Sequence, residues 1–169
     1  HFLEHMVFKT NRARTASELN RYLGELGAQS NAYTSDDSTV YYGAVLPEKL
    51  EPFHTVLTDM MRPSLISEDY ETERKVILEE ISMIYDDVPR SFYYQAAEHW
   101  NNGHPSGHTI LGPRENIASV PVDVMRAYHN KRYTTRSITL AVAGVYDFDA
   151  LVARAQQLTA DWPTQHVVR

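Results

Sequence analysis

His1-Phe2-Leu3-Glu4-His5 sets two imidazoles four residues apart with a carboxylate next to the second. On an α-helix, positions i and i+4 share a face, so His1 and His5 can reach one ion while Glu4 lies beside them. Neutral imidazole nitrogens suit zinc at about 2.0–2.1 Å, and a catalytic zinc takes three protein ligands and keeps a fourth position for water. A third ligand therefore has to come from elsewhere. The adjacent carboxylate can take a proton from a water attacking a carbonyl, while the metal lowers that water's pKa and polarises the substrate. The plainer alternative makes His1 and His5 exposed helix residues and Glu4 half of a surface pair contributing about 0.3 kcal/mol. With eight His and twelve Glu in 169 residues, composition alone would yield this pattern in roughly 3 chains of 100. The motif therefore needs support from the rest of the chain.

The elements that would position these groups are readable from apolar periodicity. Residues 1–7 look like a helix already under way, followed by the polar loop 9–15. Thr15 and Glu18 open a short helix whose Leu19, Leu23 and Leu26 keep helical spacing until Gly24 and Gly27 end it. Residues 29–35 and 39–46 are rich in β-formers around the polar turn 35–38 and predict a hairpin. Pro47 opens a helix carrying Leu50, Phe53, Val56, Leu57 and Met60, closed by Arg62-Pro63. A long helix starts at Ser67 and runs to about Tyr85 on a stripe of Val76, Ile77, Ile81 and Ile84.

Residues 90–100 predict an aromatic-rich helix, 101–113 an ordered loop, and Pro121 a further helix start. Residues 137–144 are expected to form a buried strand, and Asp147 to cap a last helix through about Leu158. Strands and helices mix without βαβ alternation. The fold class is therefore α+β, helices packed on one face of a mainly antiparallel sheet.

The chain is long enough for one domain with a hydrophobic core. Its 43% hydrophobic and 22% charged residues exclude disorder, collagen and coiled coil. A net charge of −6 argues against nucleic acid as partner. Without Cys there is no disulfide, thiol nucleophile or Cys-rich zinc site, so any metal must be held by His and carboxylate. The opening residues lack the features of a signal peptide, and no run approaches the roughly 20 apolar residues of a membrane span. A soluble protein is expected, with bacterial cytoplasm and periplasm both open because any leader would lie upstream.

Two further stretches carry a resemblance. Glu73-Arg-Lys-Val-Ile-Leu-Glu-Glu80 lies about 75 residues after HxxEH, and Leu26-Gly-Ala-Gln-Ser-Asn-Ala-Tyr-Thr-Ser35 contains a GAxxNAYTS strand. With these, nearly the whole chain resembles the pitrilysin/insulinase family of zinc metallopeptidases, the inverzincins. The resemblance implies a Zn2+ held by His1, His5 and Glu80, with Glu4 activating a zinc-bound water. It implies that Glu73, two helical turns before Glu80, is a supporting carboxylate that orients a ligand or the water. Glu79 is the local competitor, but it lies about 100° away around the helix. In the family the GAxxNAYTS segment is an edge strand that pairs with extended substrate, which here implicates Asn31, Ala32, Tyr33 and Thr34. Tyr33 and Thr34 also suit ordinary strand positions facing a core. His104, His108 and His129 have no HxxEH-like partners and read as loop or packing residues.

By the same resemblance, residues 1–169 form a single peptidase domain lacking its first strands, and a second similar domain or subunit completes a chamber around a peptide or small-protein substrate. The isolated chain is then expected to be inactive although the enzyme is a zinc metalloendopeptidase. Two rival readings remain: a structural core subunit of the same family without proteolysis, and a peptide-binding module without turnover.

Overall fold

The computed structural model describes residues 1–165. Eight α-helices occur in that span: α1 (Phe2–Val7), α2 (Ala16–Glu25), α3 (Leu50–Met60), α4 (Ser67–Asp86), α5 (Val88–Trp100), α6 (Arg114–Ser119), α7 (Val122–Arg132) and α8 (Phe148–Leu158). Between α2 and α3 lies an antiparallel hairpin of β1 (Gln29–Thr34) and β2 (Thr39–Ala44), registered from Gln29 opposite Ala44 to Thr34 opposite Thr39. The class is α+β, as the sequence predicts, but the sheet among the described residues has only two strands.

The local signals act as expected. Thr15 and Glu18 form a reciprocal capping box at α2. The side chains of Asp87 and Asp147 accept the amides of Arg90 and Ala150 at the starts of α5 and α8. Gly43 is required where α3 approaches the hairpin, because a Cβ there would run into the ring of the buried Phe53.

One expectation fails. Residues 137–144 form no strand, and Ile138 and Leu140 are exposed. Apolar β-formers make a strand only where a neighbour completes the ladder, and no described strand pairs with this segment.

Helix α1 sits between two apolar clusters. Phe2, Leu3 and Met6 pack with Tyr70, Ile77 and Ile81 of α4 and with Leu65, Leu111 and Met125. Val7 joins Leu19, Leu23, Leu26, Phe53, Val56, Met60, Met61 and Trp162. Burying each such large side chain contributes roughly 1.5–3 kcal/mol. Positions 2, 3, 6 and 7 are therefore anchored inward, which leaves 1, 4 and 5 on the remaining side of the helix.

His129 of α7 is buried, stacks on Tyr133 at 4.7 Å and hydrogen-bonds the Met61 carbonyl through Nε2 at 2.8 Å. It is a packing residue. Burial, with a smaller push from Arg62, lowers its pKa, so the folded state favours the neutral ring. Its contribution to stability is complete above the ordinary imidazole value and is lost as pH falls from there through the lower folded value, because the unfolded chain binds the proton first. Urea midpoints should therefore fall between about pH 7.5 and about pH 5.5 more in the native protein than in His129→Gln, which keeps a donor but cannot titrate in that range. Equal falls would show that His129 does not carry this sensitivity.

Candidate active site

Helix α1 lies along α4, and the meeting of the two builds the site. His1 Nε2 is 3.7 Å and His5 Nε2 3.8 Å from Glu80 Oε2, and the two imidazoles are 4.6 Å apart between centroids. Taking one ligand atom from each of His1, His5 and Glu80, all three lie within 4.8 Å of one another. Two ligands of a tetrahedral zinc at 2.0–2.2 Å stand about 3.3–3.6 Å apart. The two imidazoles and one carboxylate therefore fit zinc in donor type and need only a small closure in distance. All three residues are half-buried, which leaves an ion there in reach of solvent. Glu79 is exposed and stands outside this group.

Glu73, two turns before Glu80 on α4, is buried. Its Oε2 lies 3.0 Å from His5 Nδ1, and its Oε1 lies 2.5 Å from Lys9 Nζ. A carboxylate on Nδ1 selects the tautomer whose Nε2 carries the free lone pair. That nitrogen is the one that faces Glu80. His1 Nδ1, by contrast, is buried without a hydrogen-bond partner among the described residues.

The hairpin closes the other side. The Thr34 hydroxyl donates to Glu4 Oε2, so the last residue of β1 anchors that carboxylate. Alternation along β1 turns Ser30, Ala32 and Thr34 inward and leaves Asn31 and Tyr33 exposed. Asn31 Oδ1 accepts the Ala32 N–H at 2.9 Å, and Tyr33 meets Tyr42 edge-on at 6.3 Å. Only β2 pairs with β1 among the described residues, so the second edge of β1 is open. The structure thus brings His1, Glu4, His5, Glu73, Glu80 and Thr34 together. Asn31, Ala32 and Tyr33 precede Thr34 on the same strand.

Besides the Thr34–Glu4 bond, two contacts at this site have no forerunner in the sequence reading. One is the Lys9–Glu73 ion pair, whose sole sequence signal is that Lys9 lies four residues beyond His5. The other joins the Tyr41 and Tyr133 hydroxyls at 2.7 Å across 92 residues. Burial raises both phenols, Tyr133 to about 12 and Tyr41 well beyond its ordinary value, with the Glu4 charge adding to each. Both therefore stay neutral near Glu4. His104 accepts the Ser106 amide through Nδ1, His108 is exposed, and neither approaches the cluster.

The helices around one small hairpin, with a His–His–Glu group and an adjacent carboxylate, define a metallopeptidase-like domain. Residues 1–114 match the family described as Insulinase (Peptidase family M16), and the chain belongs to that family. It is 35% identical over 158 residues to the mitochondrial-processing peptidase subunit beta of Caenorhabditis elegans, covering 93% of this chain and 34% of that protein. It is 37% identical over 146 residues to the uncharacterized zinc protease YmxG of Bacillus subtilis, covering 85% and 36%. The chain thus spans about a third of the length of these relatives. A protease from Helicobacter pylori superposes with a TM-score of 0.91 at 22% identity over 100% of this chain and 41% of its own. A peptidase M16 inactive domain from Pseudomonas fluorescens does so with a TM-score of 0.90 at 16% identity over 99% and 42%. At these identities the two structures carry the fold alone. No helix among the described residues is long and apolar enough to cross a membrane.

Proposed function

We propose that this chain is the zinc-binding half of a metalloendopeptidase that hydrolyses peptide bonds of substrates bound in extended form. The observation that carries the reading is the convergence of His1, His5 and Glu80 within 4.8 Å of one another, with Glu4 next to His5 on α1. When bound there, zinc supplies a Lewis acid for the scissile carbonyl and lowers the pKa of water. His1, His5 and Glu80 hold the ion. Glu73 accepts from His5 Nδ1 and keeps its Nε2 on the ion.

Glu4 takes the proton of the water as its oxygen attacks the carbonyl carbon, then delivers a proton to the amine nitrogen as the C–N bond breaks. Thr34 occupies one Glu4 oxygen and leaves the other for that transfer. The open edge of β1 at Ser30–Thr34 pairs with the substrate main chain, displacing the bond between Asn31 and the Ala32 N–H. A second homologous domain or subunit completes the chamber, which accords with a chain about a third the length of its relatives.

The second reading, an inactive family member, draws on the likeness to the Pseudomonas fluorescens domain. The presence of Glu4 next to His5 on α1, together with the three convergent ligand side chains, favours the enzyme. Hydrolysis of a quenched extended peptide by the full-length protein, with and without a zinc chelator, separates the two. Chelator-sensitive cleavage that returns on adding zinc is expected. Peptide binding without cleavage under any zinc loading would establish the inactive reading.

A further inference from the structure

Lys9 lies just beyond the end of α1, where its amide donates to the Met6 carbonyl at 3.1 Å. The next residue is pinned to the first turn of α4, since the Thr10 amide donates to Asp69 Oδ2 at 3.1 Å. Asp69 and Glu73 stand four residues apart, on one face of α4. The Lys9 stem therefore leaves a backbone fixed against α4 on the side where the Glu73 carboxylate is buried. Its ammonium reaches Glu73 Oε1 at 2.5 Å, and Glu73 Oε2 lies 3.0 Å from His5 Nδ1. His5 Nε2, on the far side of the ring, looks to Glu80 Oε2 at 3.8 Å.

The pair is more than a tether between helices. The terminal torsion of a Glu side chain has a broad, roughly two-fold profile, so a carboxylate held at one oxygen alone can turn its plane. One clamped at both oxygens by groups from a rigid helix and its pinned extension cannot. The plane of Glu73 decides where the Nδ1–H bond points, and that bond fixes the rotation of the His5 ring.

We infer that Lys9 is a positioning residue for the metal centre, clamping Glu73 so that Glu73 holds His5 with Nε2 directed at the ion. The inference rests on the zinc-site reading above and extends it by one residue that touches neither metal nor substrate. Lysine suits the position because its ammonium on a flexible stem reaches a buried carboxylate as a point charge, leaving Oε2 free for the imidazole.

The test measures zinc affinity by chelator competition in the full-length protein, native and in Lys9→Met, Lys9→Arg, Glu73→Gln, Lys9→Met/Glu73→Gln and His5→Ala. Lys9→Met should weaken zinc by about 10- to 100-fold, the usual effect of removing a group behind a ligand, and Lys9→Arg should recover most of the loss. In the Glu73→Gln background Lys9→Met should add nothing, since residues acting through one another are non-additive. Cobalt(II) in place of zinc supplies a readout that a mere tether would not move: the visible bands of Lys9→Met should shift toward those of Glu73→Gln.

Native zinc affinity in a folded Lys9→Met, or the same loss with and without Glu73, would overturn the inference while leaving the metal site intact. Retention of zinc by His5→Ala would instead overturn the zinc-site reading itself. Should Lys9→Met fail to fold, Lys9→Gln keeps part of the stem and a neutral donor, and it carries the same expectations.

Discussion

Glu4→Gln should keep its zinc and lose turnover by about 10²–10⁴-fold, the usual worth of a positioned acid–base group. The geometry separates this residue from the ligands. His1, His5 and Glu80 form the group whose ligand atoms converge, whereas the Glu4 carboxylate is engaged by the Thr34 hydroxyl of β1. Glutamine has the same shape and can still accept from Thr34 through its amide oxygen, but it cannot take a proton from water. His5→Ala is the contrasting variant, because it removes a ligand and with it the Glu73–Nδ1 bond. Zinc stoichiometry and initial rates on a quenched peptide, measured on the same preparations of the full-length protein, distinguish the two roles. A Glu4→Gln protein that gives up zinc as readily as His5→Ala would make Glu4 a ligand and remove the proposed base.

How much of this was legible beforehand depends on sequence separation. The i, i+4 pair His1 and His5 and the two-turn pair Glu73 and Glu80 are local geometry, fixed once α1 and α4 are recognised as helices. The hairpin, the Thr15 capping box and the Asp147 cap are local for the same reason. That α1 lies on α4 was reached through family resemblance. Periodicity shows an apolar face on each helix, but not which faces meet.

Contacts across long stretches escaped. Thr34 to Glu4 spans 30 residues, Lys9 to Glu73 spans 64, and Tyr41 to Tyr133 spans 92. None leaves a periodic trace, since each depends on where two separately readable elements come to rest. Residues 137–144 mark the opposite error. A run of apolar β-formers records that a segment could be a buried strand, whereas being one requires a partner ladder and a cover for its side chains. The exposure of Ile138 and Leu140 among the described residues shows neither in place.

Replacing Tyr70 should produce the largest loss of stability of any single change at this site's support. Tyr70 is fully buried on α4, stacks on Phe2 of α1 at 4.6 Å with 18° between planes, and donates its hydroxyl to the Val120 carbonyl at 3.0 Å. Arg74 lies over the same ring at 5.0 Å. Truncation to Ala removes an aromatic ring from a close-packed cluster and leaves a cavity, a change that costs about 3–5 kcal/mol. Against a typical domain stability of about 5–15 kcal/mol, that is about a fifth of the total or more.

The effect should also reach the metal site. Phe2 directly follows His1, and with its stacking partner gone α1 loses one of the inward anchors that set its rotation on α4. Tyr70→Phe is the control. It keeps the ring and the stack, and the Val120 carbonyl retains the Arg74 guanidinium at 2.6 Å, so its cost should be about 1 kcal/mol. Denaturant midpoints and zinc affinity measured on both variants should rank native, Phe and Ala in that order on each axis. If Tyr70→Ala lowers the midpoint yet binds zinc as the native protein does, the seating of α1 does not depend on this stack, and the anchoring must come from Leu3, Met6 and Val7.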